Sequence, residues 1–105
     1  MSSENVTNEP PKLADLNQAI LDAETLERLF RDLAACTEVI EILPRVARHQ
    51  MVAERKLTLD QAREQLLSGK ASGLQIRYRY EGAEWWDTLM RTPQGTRIVR
   101  IRHDF

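Results

Sequence analysis

The sequence is poor in the residues that carry most recognisable chemistry. It has one cysteine, Cys36, in 105 residues, so no intramolecular disulfide can form. That usage suits a reducing cytoplasm. Its two histidines, His49 and His103, have no partners at metal-ligand spacing, so no metal centre built by one chain is expected. No catalytic motif or phosphate loop appears, and no cofactor is implied. No apolar run approaches the ~18 residues of a membrane-spanning helix. Residues 1–12 lack the apolar stretch and cleavage site of a secretory signal. No repeat is present.

What remains is ordinary for one small globular domain: 42% hydrophobic and 30% charged residues. Residues 1–12, polar and with Pro10-Pro11, are expected to be a disordered tail; residues 13–105 form a single domain. The net charge of −1 is unevenly spread. Residues 1–36 carry seven acids and three bases, whereas residues 71–105 carry six arginines and four acids. A strongly charged partner usually calls for a larger imbalance.

The most informative stretch runs from Gly73 to His103 and contains both tryptophans and both tyrosines. Leu74, Ile76, Tyr78 and Tyr80 alternate with Gln75, Arg77 and Arg79, the period of a half-buried strand. Glu81-Gly82 then sits where a two-residue hairpin turn belongs. The resulting register pairs Tyr80 with Ala83, Arg79 with Glu84, Tyr78 with Trp85, Arg77 with Trp86 and Leu74 with Leu89. A second turn falls at Thr92-Pro93-Gln94-Gly95. Read as a three-residue loop, it pairs Leu89 with Val99, Asp87 with Ile101 and Trp86 with Arg102. That reading turns Val99 and Ile101 inward and Arg100 and Arg102 outward.

Upstream, Leu13 to Ile20 reads as a helical turn or an extended arm. Asp22 caps a helix over Ala23–Ala35, with Leu26, Leu29, Phe30 and Leu33 as its apolar stripe. Thr37–Leu43 fits either a strand or a continuation of that helix. Its β-branched Val39, Ile40 and Ile42, followed by Pro44, favour the strand. Residues 45–56 give no assignable pattern. Thr58-Leu59-Asp60-Gln61 is a capping box opening a helix over Leu59–Ser68, closed by Gly69. The fold class expected is α+β, in two layers. The helices pack on one face of a three- or four-stranded antiparallel sheet that ends in a C-terminal β-meander. The expected core is Leu74, Ile76, Tyr78, Trp85, Leu89, Val99 and Ile101 from the sheet. Leu26, Phe30, Leu33, Leu59, Leu66 and Leu67 meet them from the helices.

The candidate binding residues are Arg77, Arg79, Trp86, Arg100 and Arg102, expected on the sheet face away from the helices. An aromatic ringed by arginine is the composition of a protein-binding hot spot. It also resembles a stacking platform for single-stranded nucleic acid, although only Trp86 offers a ring there. The bland alternative is a solvated face with Trp86 covered by arginine stems. Asp87 falls on the core face, where an unpaired carboxylate is costly. His103, diagonal to it, would make a carboxylate–imidazole dyad, but no nucleophile joins them. Cys36 reads as a buried inert thiol, and Glu27 and Asp32 as a solvated helix face. The function expected is binding of another protein through the sheet face, without catalysis. Single-stranded nucleic acid is the second reading, and a small enzyme or ligand binder using Asp87 and His103 the third.

Overall fold

The computed structural model describes residues 16–45 and 57–104. The elements follow in the order β1 (Leu16–Leu21), α1 (Ala23–Cys36), β2 (Glu38–Arg45), α2 (Leu59–Ser68), β3 (Gly73–Tyr80), β4 (Ala83–Thr92) and β5 (Gly95–His103). The strands make one antiparallel sheet in the order β1-β5-β4-β3-β2, so the meander is its centre and β1 and β2 are its edges. The architecture is the expected α+β, with five strands rather than three or four. The expected tail at residues 1–12 and the unassigned residues 46–56 lie outside the described residues.

Each end of α1 is set by a side chain. Asp22 accepts the Thr25 backbone N–H at 2.8 Å, and Thr37 donates its hydroxyl to the Leu33 carbonyl at 2.8 Å as the chain turns extended. The segment after Thr37 is a strand, as its β-branched residues favour. It runs on through Pro44, because an edge strand tolerates the missing N–H. The arm before Asp22 is also a strand and pairs with β5. In α2 both halves of the capping box form, Gln61 N–H to Thr58 Oγ1 and Thr58 N–H to Gln61 Oε1. Gly69 closes α2 at φ 85°, and Arg91 of β4 reaches back to donate to the Leu66 carbonyl at 3.0 Å. That contact ties the helix C-terminus to the sheet.

Glu81 and Gly82 take φ of 51° and 82°, the signs of a type I′ hairpin turn. All five pairs expected between β3 and β4 form. The β4–β5 turn is different. Its loop holds two residues, Pro93 and Gln94, so that Thr92 faces Gly95. Thr92 braces it, its hydroxyl donating to the Gly95 carbonyl at 2.8 Å and accepting from Gln94 N–H at 3.1 Å. Gly95 takes φ 143° and lies against β1, where a Cβ would come 2.6 Å from the Leu21 carbonyl oxygen.

This register is one residue away from the three-residue loop and turns β5 over. Asp87 faces Arg100, Trp86 faces Ile101 and Leu89 faces Ile98. Val99 and Ile101 therefore leave the core, and Ile98, 4% exposed, takes their place. The core joins Leu74, Ile76, Tyr78, Trp85 and Leu89 to Leu26, Phe30, Leu33, Ala62 and Leu66, with Leu59 partly buried beside them. Leu67 is exposed, because Ala62 and Leu66 define the buried side of α2.

Candidate functional site: the uncovered sheet face

Alternation gives the sheet two unlike faces. The inner one packs against α1 and α2. Among the described residues no helix covers the outer one. The pairing lays it out in rows across the strands. One row runs Ile101, Trp86, Arg77, Glu41. The next runs Gln18, Val99, Thr88, Gln75, Leu43. A third runs Ile20, Arg97, Met90 and then Gly73, where a Cβ would stand 2.7 Å from the Met90 sulfur. Ile20, Leu43 and Ile101 are 50%, 43% and 37% exposed, while Trp86, Val99 and Met90 are half-buried. Apolar and polar side chains interleave on this face: Thr88 and Gln75 lie at its middle, and the exposed Ile20 and Leu43 on its edge strands.

Trp86 sits between Ile101 and Arg77. The Arg77 guanidinium carbon lies 4.6 Å from the centroid of its ring, and the His103 ring centroid lies 4.1 Å away at a 37° tilt. Its indole N–H donates to Glu84 at 2.8 Å. That bond, together with Arg77, holds the Glu84 carboxyl below its ordinary range, against the effect of burial. Arg77 is shared between Glu41 at 2.6 Å and Glu84 at 3.3 Å. Arg79 meets Glu38 at 3.6 Å, and Arg97 donates to Gln18 at 2.7 Å. Four arginines, with Arg45 beside Gly73, and three glutamates thus share the face. It is not a basic surface.

Of the five candidate binding residues, the structure gathers Arg77, Arg79 and Trp86 on the outer face. Arg100 and Arg102 are on the inner side, because β5 is turned over. Arg102 extends past Trp85, 5.8 Å from its ring centroid, to Asp104 at 3.1 Å. Asp87 and His103 are also separated: Asp87 points inward, while His103 faces Glu84 on the outer side. They do not form a dyad.

Asp87 is fully buried and has found other partners. Arg100 holds it with two parallel hydrogen bonds, Nε to Oδ1 and Nη2 to Oδ2, each 2.8 Å. The Tyr78 hydroxyl donates to the same two oxygens at 3.1 Å each. Burial, then the Asp87 charge, pushes the Tyr78 hydroxyl well above its ordinary range. Burial opposes the Arg100 charge, but the Asp87 bonds outweigh it and raise that group further.

The sequence reading missed Ile20, Val99 and Ile101 as surface residues. The available signal was the adjacent pair Ile98-Val99, which no strand can bury on one face. Cys36, expected to be buried, is exposed at the last turn of α1, beyond the stripe that ends at Leu33. Glu27 and Asp32 are solvated as expected, Glu27 pairing with Arg63 of α2 at 2.7 Å. Among the described residues no cluster of metal-ligating side chains is present, and no helix is long and apolar enough to cross a membrane. The chain matches no protein-family model, no curated protein and no solved structure with which it was compared.

Proposed function

We propose that this protein acts by binding another protein on the outer face of its sheet, without catalysis. The observation that carries the reading is the uncovered row of Ile101 beside Trp86, next to Val99 and Met90 and bordered by ion pairs. Apolar side chains interleaved with hydrogen-bonding ones are the composition of a non-obligate protein interface. The aromatic and the arginine over it are the residue types that dominate binding energy.

Single-stranded nucleic acid is the weaker reading. Arg77 and Arg79 are already engaged by Glu41, Glu84 and Glu38, and a phosphate backbone would have to displace them. We also infer a cytoplasmic protein, since an exposed thiol at Cys36 suits a reducing compartment.

Two variants test the main reading. Ile101→Glu and Trp86→Ala should each abolish capture of the partner from native extract, while circular dichroism shows the fold retained. An unchanged set of captured proteins would remove the outer face from the function. A fluorescent single-stranded oligonucleotide titrated at two salt concentrations tests the alternative. Binding that tightens as salt falls would favour nucleic acid.

A further inference from the structure

On the other side of the sheet, α1 does not close onto the β1 and β5 end. It leaves a cleft of about 500 Å³, within the ~300–1,000 Å³ range of small-molecule sites. Leu21 and Leu29 line its walls, and Leu33, Tyr78 and Ile98 its depth, while Arg28 and Asp32 stand at its mouth. Arg100 lies in the lining as well, with 15% of its side chain exposed.

The guanidinium has donors to spare. Of its three nitrogens, Nε and Nη2 are committed to Asp87. Among the described residues Nη1 makes no hydrogen bond, and it is not sealed from solvent. Arg100 lines the cleft, and Nη1 carries the N–H groups it has left for a ligand there. The charge of Arg100 is already matched by a buried carboxylate. A second anion on Nη1 would sit close to Asp87 in a medium of low dielectric, where like charges repel strongly. At the mouth Arg28 is paired with Glu24 at 4.0 Å and Asp32 adds a further negative charge, so nothing there draws an anion. The chemistry favours an acceptor without charge.

We propose that the cleft between α1 and the sheet binds a small, largely apolar, uncharged molecule whose hydrogen-bond-accepting oxygen is met by Nη1 of Arg100. The aliphatic walls and Tyr78 hold its apolar body, and the Asp87 pair holds the guanidinium still. This site is independent of the outer face.

The probe is prodan, an uncharged naphthyl ketone whose emission moves to the blue on leaving water. The full chain should bind it with a saturable blue shift. Dimethylaminonaphthalene, which lacks the ketone, should bind about 10–150-fold more weakly, the worth of one hydrogen bond to a charged donor. Ala19 lines the cleft on edge strand β1 and is exposed, so Ala19→Phe should fill the cleft without unfolding the chain. Prodan affinity should then fall at least 10-fold, as it should after Cys36, another lining residue, is alkylated with a bulky maleimide. Three results would overturn the proposal. One is an absent blue shift. Another is equal binding by Ala19→Phe. The third is tighter binding of the anionic anilinonaphthalene sulfonate than of prodan.

Discussion

Asp87 on β4 and Arg100 on β5 face each other across the sheet with two bonds of 2.8 Å, and this pair decides which side of β5 looks outward. A slip of one residue would leave Asp87 buried opposite an aliphatic side chain, with the Tyr78 hydroxyl but no cation beside it, a costly arrangement for a carboxylate. With Asp87 matched by Arg100, Ile98 enters the core and Val99 and Ile101 are turned onto the uncovered face. A buried polar pair thus specifies the register, and the register composes the proposed binding surface.

Removing one member of the pair should be costly. Asp87→Ala leaves Arg100 and the Tyr78 hydroxyl without their acceptor, and urea melts should show a loss of about 3–5 kcal/mol. The double variant Asp87→Leu with Arg100→Leu should lose much less than the sum of the two single changes. Additive losses would mean the two residues do not act as a pair.

Neighbouring isoleucines on β5 should respond in opposite ways. Ile98 is 4% exposed, and Ile98→Ala should cost about 2–5 kcal/mol. Ile101 is 37% exposed and should tolerate Ala within about 0.5 kcal/mol. Chemical denaturation of the two variants checks this, and the three-residue loop predicts the reverse ranking.

Much of the fold is legible in the sequence wherever local chemistry and burial agree. The Glu81-Gly82 turn, the Thr58 capping box and the Asp22 cap are local, and each forms as read. The second turn is not local in this sense. Thr92, Pro93, Gln94 and Gly95 suit a three-residue loop, or a four-residue one that sets Val99 and Ile101 on the Arg77 face, and neither is the two-residue loop that forms. On β5 the hydrophobic pattern misleads: burying Val99 and Ile101 looks better than burying Ile98 with an arginine. The deciding fact is a long-range pairing, and its trace in the sequence is the otherwise unexplained Asp87 at a core position. The candidate site was half legible for the same reason. Arg77, Arg79 and Trp86 rest on the first hairpin and are placed as read, whereas Arg100, Arg102 and His103 rest on the second.

Alkaline pH should weaken the fold through Tyr78. Its folded pKa is raised above its ordinary value of 10.0 by burial and by Asp87. The stabilisation is therefore fully present below pH 10.0 and is lost as pH rises beyond it, when the unfolded state releases the proton first. Tyr78→Phe should flatten that part of the stability–pH curve measured by urea melts. An equal slope in the variant would assign the loss to other groups.

The Glu84 carboxyl reports on Trp86. Its folded pKa lies below its ordinary value of 4.5, with the indole N–H as the largest cause. The associated stability is present above pH 4.5 and is lost as pH falls through the lower, folded value. Trp86→Phe keeps a ring beneath Arg77 but removes the donor, so carbon-detected NMR titration should find the Glu84 pKa raised. An unmoved value would mean that Arg77 alone sets it.

The central claim, that β5 turns Ile101 outward onto a protein-binding face, is tested most directly by site-specific photocrosslinking. A benzophenone amino acid replaces Ile101 in one sample. In another it replaces Leu67, which is 51% exposed on α2 at the opposite side of the molecule. The account predicts that one protein is captured from position 101, is lost when Trp86→Ala is added, and is not captured from position 67. Equal capture from both positions, or capture from position 67 alone, would contradict it.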